Sequence, residues 1–415
     1  MAKAAKWGST YKVLLDVGFL VDAFTLDSSL LDGTDVLDGS TDFVDITEYV
    51  TSVNINRGRQ TQLDTFNAGT LNIVANDQAS GRQFDPLNTD STWYQGALGI
   101  APRRQVQVYG GTAGTASMFS GYVFDLNIDY AEPQLSTASI SAVDALAQLS
   151  QTTLTGFTPS AELTSARVNT ILNRSEVAWS TALRSISTGV ATCGTVAYED
   201  ATNALAALQA VQFAEDGRLF ADRSGNINFD PRVSTSFGTA VALFGGTAGV
   251  PILSLSNVYG AETGVNRVAV QIEGGTASSV ASGTASQAEY GIKALSLTGV
   301  PLATDAAGSA LALSLLTRFQ EPVVRFSEMD VLLNALTTAQ QAQMAGLEIG
   351  DILSVTKTFS TGTPATVTQN VVVESIRHTV NPSTHRVTIG MGQVQLVIPF
   401  ILDTSELDDP IYALQ

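Results

Sequence analysis

Between Asp45 and Ser141, apolar and polar residues alternate with a period of two in one short segment after another. Val53-Asn54-Ile55-Asn56, Leu71-Asn72-Ile73-Val74, Val106-Gln107-Val108-Tyr109 and Tyr122 to Asp129 share it, and Ala138-Ser139-Ile140-Ser141 continues it. Successive side chains leave opposite faces of a strand, so each segment reads as a strand with one buried face. Turn-forming clusters at Asn76-Asp77-Gln78, Asp85-Pro86, Gly110-Gly111 and Glu132-Pro133 separate them. Five or six short strands at this spacing predict a small barrel or sandwich over residues 45–150.

The pattern then changes and returns. Asp144 to Ser150 reads as a short helix. Helical spacing follows over Ala161–Val177 and Asp200–Phe213, and Arg218 to Phe229 reads as a hairpin turning at Arg223-Ser224-Gly225-Asn226. Residues 151–250 are therefore expected to form an α+β insertion. From 251 to 398 a strand at Arg267–Ile272 and a helix at Ala306–Phe319 precede four β segments: Val323–Leu333, Ile352–Phe359, Gln369–Thr379 and His385–Met391. The helix stops before Glu321-Pro322, because proline disfavours helix in the residue before it. The reading is mainly β with an α+β insertion and two small β-barrel domains, flanked by an N-terminal arm (1–44) and a C-terminal arm (399–415).

Composition narrows the functional classes. The 415 residues carry 39 acids against 21 bases, a net charge of −18, so tight nucleic-acid binding through clustered cations is disfavoured. Charged residues are only 14%, leaving the surface to Ser, Thr, Asn, Gln and Gly. Cys193 stands alone, which excludes an internal disulfide and a cysteine-built metal site. Lys3 and Lys6 precede an apolar run, but Asp16 and Asp22 interrupt it and no small-residue cleavage site follows. No stretch approaches the roughly 20 apolar residues of a membrane span. Synthesis and folding in a bacterial cytoplasm, without stable membrane insertion, are the expectation.

No catalytic pattern emerges. There is no Gly-x-Ser-x-Gly elbow, and the only histidines, His378 and His385, fall late in a hairpin-like stretch where they read as ordinary side chains. A carboxylate pair for glycoside cleavage is never excluded by composition, yet many acids sit in turns such as Asp32-Gly33 and Asp216-Gly217. Asp32, Asp35, Asp38 and Asp42 resemble a calcium loop in composition but not in spacing. Three Gly-Gly-Thr-Ala loops lack the Gly-Lys-Ser/Thr of a nucleotide loop. No catalytic, cofactor or metal site is expected.

An ordered string of segments resembles the minor tail proteins of long-tailed bacteriophages, especially those infecting actinobacteria. It runs from Asp45-Ile46-Thr47-Glu48-Tyr49 through Arg57-Gly58-Arg59, Phe84-Asp85-Pro86-Leu87-Asn88 and Pro102-Arg103-Arg104 to Phe119-Ser120-Gly121-Tyr122 and Ala142-Val143-Asp144. Glu215-Asp216-Gly217-Arg218 and Leu347-Glu348-Ile349-Gly350-Asp351 are similar to later parts of the same family. The resemblance implies a tail-tip hub without an enzymatic site, built as a ring of commonly three subunits with two barrels each. Such a baseplate hub joins the tail tube to the distal tip and forms part of the DNA channel. Its partners are further copies of itself, the distal tail protein, the tape measure protein and tip or fibre proteins, and its place is the virion. The alternatives are the distal tail protein, a six-fold ring, and a tail-associated receptor-binding or cell-wall-degrading protein.

Candidate assembly contacts fall into two groups. Arg57, Arg59, Arg103 and Arg104 can grip a neighbour's carboxylates bidentately or serve as solvated strand-end charges. The second group lies in a repeat: Phe24-Thr25-Leu26-Asp27-Ser28-Ser29-Leu30-Leu31-Asp32 returns as Phe400-Ile401-Leu402-Asp403-Thr404-Ser405-Glu406-Leu407-Asp408. Phe24, Leu26, Leu31, Phe400, Leu402 and Leu407 are its apolar anchors, expected to dock in equivalent grooves or to cover the chain's own barrels.

Overall fold

The computed structural model describes residues 11–17, 43–94, 99–110, 114–131, 135–232, 240–259, 264–276, 278–381, 383–394, 398–399 and 412–413. The period-two segments are strands. In chain order they are β1 (Lys12–Asp16), β2 (Phe43–Asp45), β3 (Val50–Gly58), β4 (Asn67–Asn76), β5 (Gln105–Gly110), β6 (Ala116–Ala131) and β7 (Leu135–Val143). Val53, Ile55, Leu71, Ile73, Ile140 and Phe119 from this half turn inward and pack with Phe84 and Trp93. β1, inside the stretch read as an arm, lies between β5 and β2 and buries Val13 and Leu15.

After the single-turn helix α1 (Asp77–Ser80), the insertion carries helices α2 (Ala145–Ser150), α3 (Thr164–Leu172) and α4 (Ala204–Glu215) with the hairpin β8 (Arg218–Ala221) and β9 (Ile227–Asp230). α2 begins where its N-cap Asp144 accepts the Leu146 N–H at 2.9 Å. α4 ends at Asp216, whose left-handed φ of +53° turns the chain into Gly217 and β8. Val168, Ile171, Leu208, Val211 and Phe229 make the insertion's core, which Phe66 and Ile349 join from outside residues 151–250.

The C-terminal half begins with β10 (Ala242–Gly245) and β11 (Ser254–Val258). A separate three-stranded sheet follows, made of β12 (Arg267–Ile272), β13 (Ser279–Ser282) and β14 (Ala294–Val300), with helix α5 (Thr284–Tyr290) between β13 and β14 in the chain. Helix α6 (Asp305–Phe319) covers it, burying Leu311, Leu315 and Phe319 against Val268 and Val270. The last strands are β15 (Arg325–Leu332), β16 (Ile352–Thr358), β17 (Thr366–Val380) and β18 (His385–Gln393).

The expected pair of separate barrels is not what these strands make. They join in one thirteen-stranded sheet, ordered β11-β15-β18-β17-β3-β4-β7-β6-β5-β1-β2, with β16 beside β17 and β10 beside β16. No sheet among the described residues closes into a barrel. The physical reason lies in the seam. β3 pairs antiparallel with β17 from Val53–Val380 to Gly58–Ser375, so hydrogen bonds that could close each half link the two halves instead. Each half still curls around its own apolar core.

Candidate functional site: a polar sheet face over a buried ionic seam

The seam gives the sheet two contrasting faces. On the outer face, register places one row of residues across nine strands: Ser254, Asp330, Thr388, Arg377, Asn56, Thr70, Val143, Tyr122 and Gln105. Strands lie about 4.8 Å apart, so the row is roughly 38 Å wide. Beside it runs Thr379, Asn54, Asn72, Ser141 and Asp125. Short neutral amides and hydroxyls dominate both rows. Arg386 is paired with Asp330, which also accepts from Thr388 Oγ1 at 2.6 Å and from Ser254. Burial opposes its charge, but these bonds, led by Arg386, hold the Asp330 carboxyl down at about 2.

A depression of about 280 Å3 lies on this face between Arg377 and Phe124. Phe124 owes its position to a β-bulge. The register of β6 against β7 shifts between Val123 and Asp125, so Phe124 and Asp125 both point outward and Leu126 and Ile128 turn back toward the core. Phe124 is 59% exposed.

Beneath the seam is a second bulge with the opposite result. β17 shifts register between Val373 and Ser375, which aims Glu374 into the protein interior. There Glu374 accepts from Arg59 Nε at 2.7 Å, from Gln62 Nε2 at 3.1 Å and from Arg218 Nη2 at 3.3 Å. Burial works against its charge, while the fields of Arg218 and Arg59 keep its carboxyl below the usual range. Arg57 reaches Glu348 Oε1 at 2.8 Å, and Glu348 Oε2 accepts the Arg223 N–H at 2.8 Å. Gly58, between the two arginines, has φ +111°, and a Cβ there would stand 2.2 Å from the Glu374 carbonyl oxygen. The Arg57-Gly58-Arg59 string is thus the crossing point of three parts of the chain.

Two further polar groups flank the seam. Asp144 accepts the Gly69 N–H at 2.6 Å, tying β4 to α2, and burial pushes its carboxyl up to about 7. His378 Nδ1 and His385 Nε2 lie 3.2 Å apart in the interior. Burial lowers both; His385 is brought to about 4, and His378 is lowered further by His385 and Arg57. No group of three or more His, Cys, Asp or Glu suited to a metal occurs among the described residues.

The residues expected at interfaces separate accordingly. Arg57 and Arg59 are buried and engaged with carboxylates of their own chain. Arg103 is exposed in a left-handed turn at φ +73°, and Arg104 lies 3.9 Å from Asp16. Phe24, Leu26, Leu31, Phe400, Leu402 and Leu407 lie outside the described residues. Glu348, Glu374 and Arg218 do not stand out in the sequence as site residues. The signal was a lone charge against an apolar run, as in Val371-Val372-Val373-Glu374 and Arg218-Leu219-Phe220-Ala221.

This architecture, one long sheet shared by two halves with an α+β insertion at their seam, is similar to the fold of two solved tail proteins. It occurs in the 43 kDa tail protein of prophage MuSo2 from Shewanella oneidensis, with a TM-score of 0.55 and 12% identity over 92% of this chain and 98% of that one. It occurs also in a tail protein from Neisseria meningitidis MC58, with a TM-score of 0.58 and 10% identity over 92% of this chain and 96% of that one. No protein-family model matches the chain, and no curated protein does.

Proposed function

We propose that the chain is a structural, non-enzymatic component of a bacteriophage tail tip, a ring-forming hub that joins the tail tube to the distal tip. The observation that carries this reading is the tail-protein fold spanning nearly the whole chain. Two curled sheet halves per chain give six in a trimer, a number that fits a six-fold tube. The polar outer face then lines the channel through which DNA passes. Arg386 is paired with Asp330, and apart from Arg377 the rows offer phosphate Asn, Thr and Ser rather than fixed cations; three copies carry 3 × −18 = −54 charges in all, so DNA slides rather than sticks. Neighbouring tail proteins, namely the distal tail, tape measure and tip or fibre proteins, are the expected partners in the virion.

Light scattering and averaged electron images test the ring. Three copies per particle are expected. Six copies in one ring would move the assignment to the distal tail protein, and a chain that stays monomeric at high concentration beside its tail partners would remove the hub reading.

A further inference from the structure

Residues 352–373 contain no acid, although acids outnumber bases 39 to 21 in the chain, and Lys357 is their only charge. They fold into the hairpin of β16 and β17, and every residue from Lys357 to Thr366 is exposed. The outer part of the hairpin therefore stands clear of the body, reaching roughly 20 Å from Thr356 to Gly362. A two-stranded hairpin without a covered face is only marginally stable in water.

Its two faces differ. Thr356 and Thr368, with hydroxyl oxygens 2.9 Å apart, stand beside Thr358 and Thr366 as a polar ladder on one face. On the other, Lys357 lies opposite Val367, and Phe359 continues the row, its N–H bonded to the Ala365 carbonyl at 2.8 Å. Val367 packs against the core of the C-terminal half, whereas Phe359 further out is 43% exposed. Lys357 meets no carboxylate among the described residues.

A surface of matching chemistry lies where β11 and α5 end. Tyr259 just after β11 is 66% exposed, and Tyr290, the last residue of α5, is 41% exposed. Glu289, burial, Tyr259 and Glu321 push the Tyr290 hydroxyl up to about 12, which puts the four side chains in one patch. Glu289 and Glu321 are exposed and form no ion pair among the described residues, and exposed Val323 and Val324 follow Glu321 in the chain. Hairpin tip and patch are both open in the single chain, so neither covers the other there.

We propose that the hairpin is an assembly arm that docks on a second copy of the chain, seating Phe359 against Tyr259 and Tyr290 and bringing Lys357 to Glu289 and Glu321. Aromatic rings packed edge to face add to the area they bury, and the opposite charges fix the orientation. An arm that meets a different surface on the next copy makes a heterologous contact, which closes into a ring when its rotation allows. The inference deepens the ring reading, on which it rests, by naming a contact between neighbours.

The test mixes two full-length variants, Phe359→Cys and Tyr290→Cys, at the concentration used for light scattering, and oxidises them with copper phenanthroline. Cys193 is buried, so the introduced thiols react, and a disulfide joining the two positions can form only between copies. Peptide mapping should find it at least about fivefold above a control mixture of Phe359→Cys with Leu87→Cys, because docking raises the effective thiol concentration. Adding Lys357→Glu to the Phe359→Cys chain should lower the yield at least about threefold through like-charge repulsion. Unfolding midpoints check that each variant folds. A yield no higher than the control, or one undiminished by Lys357→Glu, overturns the arm. Three copies in light scattering without the disulfide would leave the ring standing and remove only this contact, whereas the disulfide without a closed ring supports the arm and removes the ring.

Discussion

Single residues set the strength of the seam. Glu374 neutralises Arg59 and Arg218 in the interior, and breaking a buried ion pair by removing one partner costs about 3–5 kcal/mol. Glu374→Gln is therefore expected to lower the urea-unfolding free energy by about that amount; a loss under about 1 kcal/mol would show that the network contributes little. The histidine pair gives a pH dependence. Both imidazoles are neutral in the fold, with pKa values below their unfolded value, so the unfolded chain binds more protons as pH falls. Their stabilising effect is present above about pH 6.5 and is lost on acidification toward about pH 4 for His385, with a slope approaching 1.4 kcal/mol per pH unit for each histidine. His385→Gln should flatten the stability curve between pH 4 and 6, and an unchanged slope there would contradict the buried neutral pair.

At the scale of elements, two bulges decide which side chains serve the interior and which serve the surface. The bulge in β6 releases Phe124 outward, whereas Phe119 on the same strand is fully buried. Phe124→Ser is expected to change stability by less than about 0.5 kcal/mol, while Phe119→Ala costs about 3–5 kcal/mol. Equal losses in chemical denaturation would mean that Phe124 packs in the free chain. The other bulge, in β17, turns Glu374 inward. Period two makes the strands themselves legible, since Val53, Ile55, Leu71 and Ile73 must share a face. It cannot place a bulge, because one extra residue in a run such as Tyr122-Val123-Phe124-Asp125-Leu126 leaves every local preference satisfied.

For the whole molecule, assembly and activity carry the expectations. The purified chain should produce no clearing in a zymogram of host cell wall; clearing would favour the cell-wall-degrading alternative. The repeated Phe-x-Leu-Asp arms predict that deleting Phe400 to Gln415 weakens assembly and leaves the monomer's unfolding midpoint nearly unchanged. Lost monomer stability with normal assembly would mean that the arm covers its own chain.

The sequence by itself determined the class of the fold. Alternation specified most of the strands, helical spacing and Pro322 specified α6, and the acidic, cysteine-poor composition set the chemistry of the surface. Weaker patterns are not legible: β1 lies in a stretch that reads as an arm, and α5 (Thr284–Tyr290) and α7 (Thr338–Ala345) carry little apolar periodicity. Only the tertiary structure decided that two β regions share one sheet and that Arg57 and Arg59 face inward. Alternation reports which face of a strand is buried, and it holds no information about which distant strand lies beside it. That choice was made by long-range contacts between residues about 300 positions apart, Arg59 with Glu374 and Gly58 with Ser375, where a bulge, a glycine and a buried charge must coincide.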